Sequence, residues 1–318
     1  MLLSRVADAL YWISRYLERA EHTARLLDVA ADLRLGRAST TGAGAIERLY
    51  ATLGLAATDP ADAIAVLDAA LLDLSNRSSI ASCVQAAREN GRQVRDEISS
   101  DMWEQLNALY LRVRQMRDEG QTSGRTHYVS RTIIEGIHLF EGVTDATMSH
   151  GEGWQYLQAG RFLERADATA ALLDAFFRDE ADPEGMPPPL DQADWVALLR
   201  ACSGLEGYCR QNTADVRPER VTDFLLLNAE FPRSIRFAAG RVETALIALG
   251  RQGARPRVGR AEQLSGRLRA SLDYVQLDEI LADGALPYLR GLRRQCGQIH
   301  AAIDQSYISY SIEAALQA

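Results

Sequence analysis

The sequence predicts an all-α protein, a single large helical bundle of about 12 helices with an internal two-fold duplication into pseudo-symmetric halves. Three observations predict it. Apolar residues recur with a period near 3.6 along almost the whole chain, and no run alternates β-branched with polar residues as a half-buried strand would. The segment RYLERAEHTARLLD, Arg15 to Asp28, returns as RFLERADATAALLD, Arg161 to Asp174, 146 residues later. LLDLSNRSSI at Leu71–Ile80 then aligns without gaps to LLNAEFPRSI at Leu226–Ile235, 155 residues later and in the same order. Two near-equal offsets imply homologous halves, approximately 1–150 and 151–318, within one helical domain spanning 1–318. Two repeats of that length are too few and too long for a solenoid, so the halves are expected to pack by ridges and grooves into one bundle.

In order, the helices are expected at roughly 3–34, 44–54, 60–72, 78–99, 101–119, 129–148, 153–178, 191–214, 218–228, 233–249, 259–282 and 286–314. The first ends at GRASTTGAG, the seventh at DEADPEGMPPPLDQAD and the tenth at GRQGARPRVG, all rich in turn-forming residues. The proline-rich break is long, but the helices beside it are too apolar to stand alone, so it reads as an exposed excursion rather than a domain linker. In both copies of the second motif an apolar helix end meets an irregular polar turn, and Ser-Ile opens the next helix. Ser79 and Ser234 are therefore expected to cap those helices or to lie in their first turn.

On a helical wheel of about 100° per residue, Asp8, Tyr11, Arg15, Glu18, Arg19 and His22 share one stripe. Val6, Leu10, Ile13, Leu17, Ala20, Ala24 and Leu27 share the opposite one. Taken alone this is an amphipathic helix with a solvated polar face. The second copy differs: Arg161, Glu164 and Arg165 are flanked by Trp154, Leu157, Ala168 and Leu172, and the opposite stripe is also apolar. A helix apolar on both sides is a central one, so its charges lie at an interface and must be paired or bind something. Glu164 is expected to be the better buried glutamate, pairing with Arg161 one turn back and leaving Arg165 to a partner elsewhere.

Two readings of these charges stay open. One is an ion-pair lattice that fixes the register of the halves. The other is a polar pocket on the pseudo-symmetry axis in which Arg15, Arg19, Arg161 and Arg165 hold an anionic or zwitterionic ligand through bidentate bonds. Arg88, Arg92 and Arg95 add an arginine stripe on one helix face, tempered by Glu89, Asp96 and Glu97, which reads either as part of such a site or as a salt-bridged surface.

Most familiar chemistries are missing. Glu135 and His138 form one E-x-x-H with no second copy, so no metal site is expected. Nucleotide-cradling glycine loops and the G-x-S-x-G elbow are absent, and no cofactor is implied. Cys202 and Cys209 lie seven residues apart on one helix without a nearby His, like core thiols rather than a nucleophile. The four cysteines show no paired spacing, which fits reduced thiols in the cytoplasm. A net charge of −8 gives no bulk attraction to nucleic acid, and the lack of an 18-residue apolar run, with charge inside the first eight residues, argues against a membrane span and a signal peptide.

MLLSRVADALYWISRYLERAEHTARLLDV, AARENGRQVRDEISSDMWEQLN, GWQYLQAGRFLERADATAALLDA and FLLLNAEFPRSIRF, taken in order, resemble the bacterial alpha-E domain family over essentially the whole chain. SNRSSI departs from the family's usual proline-containing turn, and Asn228 stands where Asp is usual. The resemblance implies an all-helical protein encoded beside, or fused to, a circularly permuted ATP-grasp protein, often with transglutaminase-like and proteasome-related peptidase partners. It thereby implies a helper or second subunit of an amide-ligating, peptide-forming or peptide-modifying system. The motif residues it carries over are Arg15, Glu18, Arg19, Arg161, Glu164 and Arg165, with Arg88, Glu89, Asn90 and Arg92. Whether the chain catalyses anything stays open. The alternatives are an amide-bond hydrolase or acyl transferase with Glu18 or Glu164 as acid or base, and a purely structural interaction module.

Overall fold

The computed structural model describes residues 2–35, 43–54, 69–119, 125–178, 190–212, 215–252 and 259–308. Among these the chain forms thirteen α-helices and no strand. The first half holds α1 (Ser4–Leu35), α2 (Ala43–Thr52), α3 (Ile80–Gln93), α4 (Ser100–Asp118) and α5 (Thr126–Thr147). The second holds α6 (Glu152–Phe177), α7 (Gln192–Ala201), α8 (Leu205–Asn212), α9 (Pro218–Leu227), α10 (Ile235–Gln252), α11 (Arg260–Tyr274), α12 (Leu277–Asp283) and α13 (Ala285–Ile303), which a π-turn extends over Asp304–Ile308.

The all-α expectation holds, with local differences. The stretch expected as one helix over 191–214 is two, because the chain turns at Ser203, whose φ is 50°. There Gly204 N–H donates to the Leu199 carbonyl at 2.7 Å and Ser203 N–H to Arg200 at 2.9 Å, the bonds that close a helix C-terminus. The stretch over 259–282 also divides, since Val275 and Gln276 are extended and Gln276 forms a capping box with Glu279. Of the helix expected at 60–72, residues 60–68 lie outside the described residues, as does 286–314 beyond residue 308.

The aligned turns share their hydrogen-bond chemistry. Asp73 accepts from Ser75 N–H at 2.8 Å, and Asn228 from Glu230 and Phe231 N–H at 2.9 and 2.7 Å. Ser79 Oγ then accepts from Ser82 N–H and Ser234 Oγ from Phe237 N–H, each at 3.1 Å, so both serines start their helices as expected.

α1 packs against α3 and α5, α3 on α4 and α4 on α5, which closes a ring of four helices. α6 packs against α10 and α13, α10 on α11 and α11 on α13, which closes a second ring. The rings join through α1 and α6, the most extensively packed pair in the fold. α2 lies against α6 and α7 against α1, each short helix crossing to the other half.

The polar stripe of α1, a solvated face when its wheel is taken alone, is an interface here as the duplication implies. Leu10, Ala20, Ala24 and Leu27 are enclosed on one stripe, but Tyr11, Arg15, Glu18 and His22 on the other are buried too, because α6 covers them. No helix among the described residues is long and apolar enough to cross a membrane.

Candidate functional site

The two Glu-Arg motifs meet where α1 crosses α6. The crossing is close because residue 160 is glycine: a Cβ there would lie 2.3 Å from the Tyr11 carbonyl oxygen and 2.4 Å from Ser14 Oγ. One residue beyond, the motifs exchange partners. Arg15 and Arg19 donate through Nε to the two oxygens of Glu164, at 2.7 and 2.6 Å. Arg165 grips Glu18 through Nε and Nη2, at 2.7 and 2.5 Å, and Arg161 Nε stands 3.9 Å from the same carboxylate. Each glutamate is thus held by the arginines of the other copy. This corrects the expectation that Glu164 pairs with Arg161 on its own helix. It also reverses the burial order, since the Glu18 side chain is 1% exposed and that of Glu164 is 9%.

Three further elements extend the network. Arg233, from the turn before α10, bridges Glu18 at 3.0 Å and Glu21 at 2.7 Å. Glu21 also takes Arg25 at 2.5 Å and His138 Nε2, from α5, at 2.7 Å. Arg161 turns instead to Glu141 on α5, at 2.6 Å. Six arginines therefore surround four glutamates.

Burial opposes the charge on Glu18, but Arg165 and Arg233 overcome it and hold the carboxyl below its ordinary value. Burial likewise opposes Glu21 and Glu164, where Arg233 and then Arg15 prevail. Glu141 goes the other way: burial, with Glu18 and Glu21 adding to it, outweighs Arg161 and pushes its carboxyl up to about 7. Burial together with Arg233 brings His22 down to about 4, a neutral imidazole at the centre.

A cleft of about 610 Å³ opens onto this network between α5 on one side and α6 and α10 on the other. Arg161, Arg165 and Glu141 line it, but Glu18 and Glu164 do not. Phe162 forms part of its wall, with the guanidiniums of Arg161, Arg165 and Arg241 at 5.4, 5.2 and 5.5 Å from the ring centre. Arg241 lines the cleft and has no ion-pair partner among the described residues. Two donors of cleft-lining residues, Arg161 Nε and Trp154 Nε1, are buried without a hydrogen-bond partner.

On the far side of the crossing, Arg15 lines a groove of about 470 Å³ with Arg290, Arg293, Arg294 and His300. Tyr11, raised to about 12 by burial, keeps its proton and bonds His300 Nδ1 at 3.0 Å, while Arg15 approaches the phenol oxygen at 3.4 Å.

The structure brings Arg15, Glu18, Arg19, Arg161, Glu164 and Arg165 together, but not Arg88 and Arg92. Arg88 bonds Asn107 on α4 at 3.1 Å and lies over the Tyr110 ring at 4.8 Å. Arg92 pairs with Glu89 one turn back on an exposed face. Glu135 and His138 also part company, Glu135 binding Arg131 and His138 facing Glu21. Carboxylate oxygens of Glu18, Glu21 and Glu141 do lie within 4.8 Å of one another. Arg25, Arg161, Arg165 and Arg233 already pair with these three carboxylates, leaving Glu21 Oε2 and Glu141 Oε1 unbonded among the described residues, and so many guanidiniums repel a cation. Burial raises the thiols of Cys83 and Cys296 to about 12 and of Cys202 to about 11, which suits packing rather than nucleophilic attack.

Uncharacterized proteins of Mycobacterium bovis and of two Mycobacterium tuberculosis strains, CDC 1551 and H37Rv, are each 28% identical to this chain over 325 residues. The match covers 95% of this chain and 35% of each relative, so the chain spans about a third of the length of the curated relatives it matches. No solved structure matches it. A family model described as a predicted alpha-helical domain with a conserved ER motif matches residues 2–308, and the chain belongs to that family, Alpha-E.

Proposed function

We propose that this chain is the ligand-binding helper, or second subunit, of an amide-ligating system. It works beside a circularly permuted ATP-grasp protein and holds an anionic, peptide-like ligand in the cleft between α5 and α10. The observation that carries the ligand class is Arg241, a cleft-lining guanidinium with no carboxylate partner among the described residues, beside a network of six arginines and four glutamates. A partly buried surplus of guanidinium is stabilised by an anion, and arginine's planar fork matches carboxylates and phosphates. The role as one unit among several is supported by the relatives, in which the matched region is only 35% of the chain.

The pairing favours this reading over catalysis by a motif glutamate. A general acid or base needs a pKa near the working pH and a free oxygen. Glu18 and Glu164 are held ionised, with both oxygens bonded to arginine. A purely structural role accounts for those pairs but leaves Arg241 unexplained.

The test is ADP release by a circularly permuted ATP-grasp protein from the same source, with and without this chain. The chain is expected to stimulate release, and Arg241→Ala, which breaks no ion pair among the described residues, to abolish the stimulation while keeping the thermal midpoint. Equal stimulation by wild type and Arg241→Ala would remove the cleft from the function. No stimulation by either would remove the partnership.

A further inference from the structure

The cleft is polarised. Its α5 wall carries Glu141 and Asp145, whereas its α6 and α10 walls carry Arg161, Arg165 and Arg241. Glu141 Oε2 holds Arg161 at 2.6 Å, and its Oε1 makes no bond among the described residues. That oxygen is an unused acceptor at the acidic wall, while Arg241 and Arg161 Nε are unused donors at the basic one. We infer that the cleft takes a zwitterion, an amino acid or short peptide with a free primary amine, whose carboxylate meets Arg241 and Arg161 and whose ammonium meets Glu141. This rests on the anion-binding reading above and adds the second recognition point to it.

The geometry favours a zwitterion over a simple anion. An anion alone would sit against the Glu141 carboxylate, which lies within bonding distance of the very arginine that must receive it. A ligand carrying an ammonium converts that repulsion into a contact. The volume, about 610 Å³, falls within the range of small-molecule pockets. Phe140, Trp154, Phe162 and Phe237 give it an aromatic lining suited to an apolar side chain.

Proton linkage follows from the surroundings of Glu141. Arg161 and Arg165 face it from α6, Glu18 and Glu21 from α1, and His138 and Asp145 share its own helix and the cleft. Burial and the two α1 carboxylates outweigh the arginines and raise its pKa to about 7, so part of the population carries the Glu141 proton at neutral pH. An arriving ammonium lowers that pKa and expels the proton. Binding near neutral pH therefore releases protons from Glu141, more of them as the pH falls toward 6.

Isothermal titration calorimetry of the full chain in Bis-Tris and in Tris, buffers without an anionic group that differ in ionisation enthalpy, reads that release. The probes are L-phenylalanine and N-acetyl-L-phenylalanine. L-phenylalanine should bind with proton release, and the N-acetyl compound about tenfold or more weaker with none, because it lacks the charged hydrogen bond to Glu141. Glu141→Gln should abolish the release and make the two probes bind alike. Glu141→Asp, checked for folding by thermal melt, should restore part of the preference. Arg241→Ala should weaken both probes equally. If both probes bind equally, without proton release but with dependence on Arg241, the zwitterion assignment is overturned and the anion site stands. If neither binds, or Arg241→Ala changes nothing, the anion site falls and the zwitterion assignment with it.

Discussion

Replacing Glu18 by Gln should damage the fold more than replacing Glu164 by Gln, although the motifs look alike. Glu18 neutralises Arg165, which is 4% exposed, and shares Arg233, which is 10% exposed. Removing one member of a buried pair costs about 3–5 kcal/mol, because the remaining charge is left without water or partner. Arg233 keeps Glu21 at 2.7 Å, so the stranded charge is chiefly Arg165. Glu164→Gln strands Arg15 and Arg19, but Arg15 keeps the Tyr11 hydroxyl and the face of Trp12, and Arg19 is 28% exposed and can hydrate. Its cost should be about 1–3 kcal/mol, between an exposed and a buried pair. Against a total stability of about 5–15 kcal/mol the difference is easily measured by urea unfolding at pH 7. Because both glutamates have lowered folded pKa values, their stabilisation is present above the ordinary value of 4.5 and fades as pH falls below it. The gap between the variants should therefore close at low pH. Equal losses at pH 7, or a larger loss for Glu164→Gln, would refute the argument from burial and pairing.

Gly160→Ala should lower the thermal midpoint strongly, by the upper part of the roughly 1–3 kcal/mol typical of overpacking, since the obstacle at 2.3 Å is the Tyr11 backbone carbonyl and not a mobile side chain. His22, neutral in the fold with a pKa lowered from 6.5 to about 4, should make stability fall with acidification through that window, and His22→Leu should flatten the decline in pH-dependent melts. Ser79→Ala and Ser234→Ala should each cost about 1 kcal/mol in urea unfolding through a lost helix cap. Arg92→Ala should leave the urea midpoint close to that of the wild type, its partner being an exposed glutamate, and should leave stimulation of an ATP-grasp protein intact.

How much of this was legible in the sequence depended on where each partner lay. The helices of the motif and the capping serines came from local periodicity and turn chemistry, which operate within a few residues. The burial order of Glu18 and Glu164 did not. The wheel for α1 shows a polar stripe, and only α6 lying across that stripe turns it into an interior. Arg233 carried a faint signal, an arginine directly before the capping Ser234 where the other copy has Ser78 before Ser79. Glu21 carried another, as an acidic residue repeated at Asp167. Glu141 and Arg241 carried none, because they acquire meaning only when α5 of one half and α10 of the other face each other across the crossing. The arginine stripe at Arg88 and Arg92 has the spacing the sequence shows but lies apart from the crossing, Arg88 bonding Asn107 on α4 and Arg92 pairing with Glu89 on its own helix.

The repeated motif has a physical reason in this exchange. Arg-x-x-Glu-Arg on one helix holds two cations against one anion, and each copy offers its glutamate to the arginines of the other. The exchange is not symmetric. Arg15 closes on Glu164 at 2.7 Å, while its counterpart Arg161 stays 3.9 Å from Glu18. Arg233 explains the difference, since the aligned position in the first half is a serine that brings no charge to Glu164. With Arg165 and Arg233 already on Glu18, Arg161 is displaced toward Glu141 and the cleft. One arginine gained in one turn thus leaves the Arg15 side a closed pair and makes Arg161 a wall of the cleft. Arg233→Ser should return Arg161 to Glu18 and free Glu141 of its arginine. The Glu141 carboxyl would then titrate above its present value, which carbon-detected NMR of the labelled carboxylate measures. An unchanged or lower value would show that something other than Arg233 breaks the symmetry.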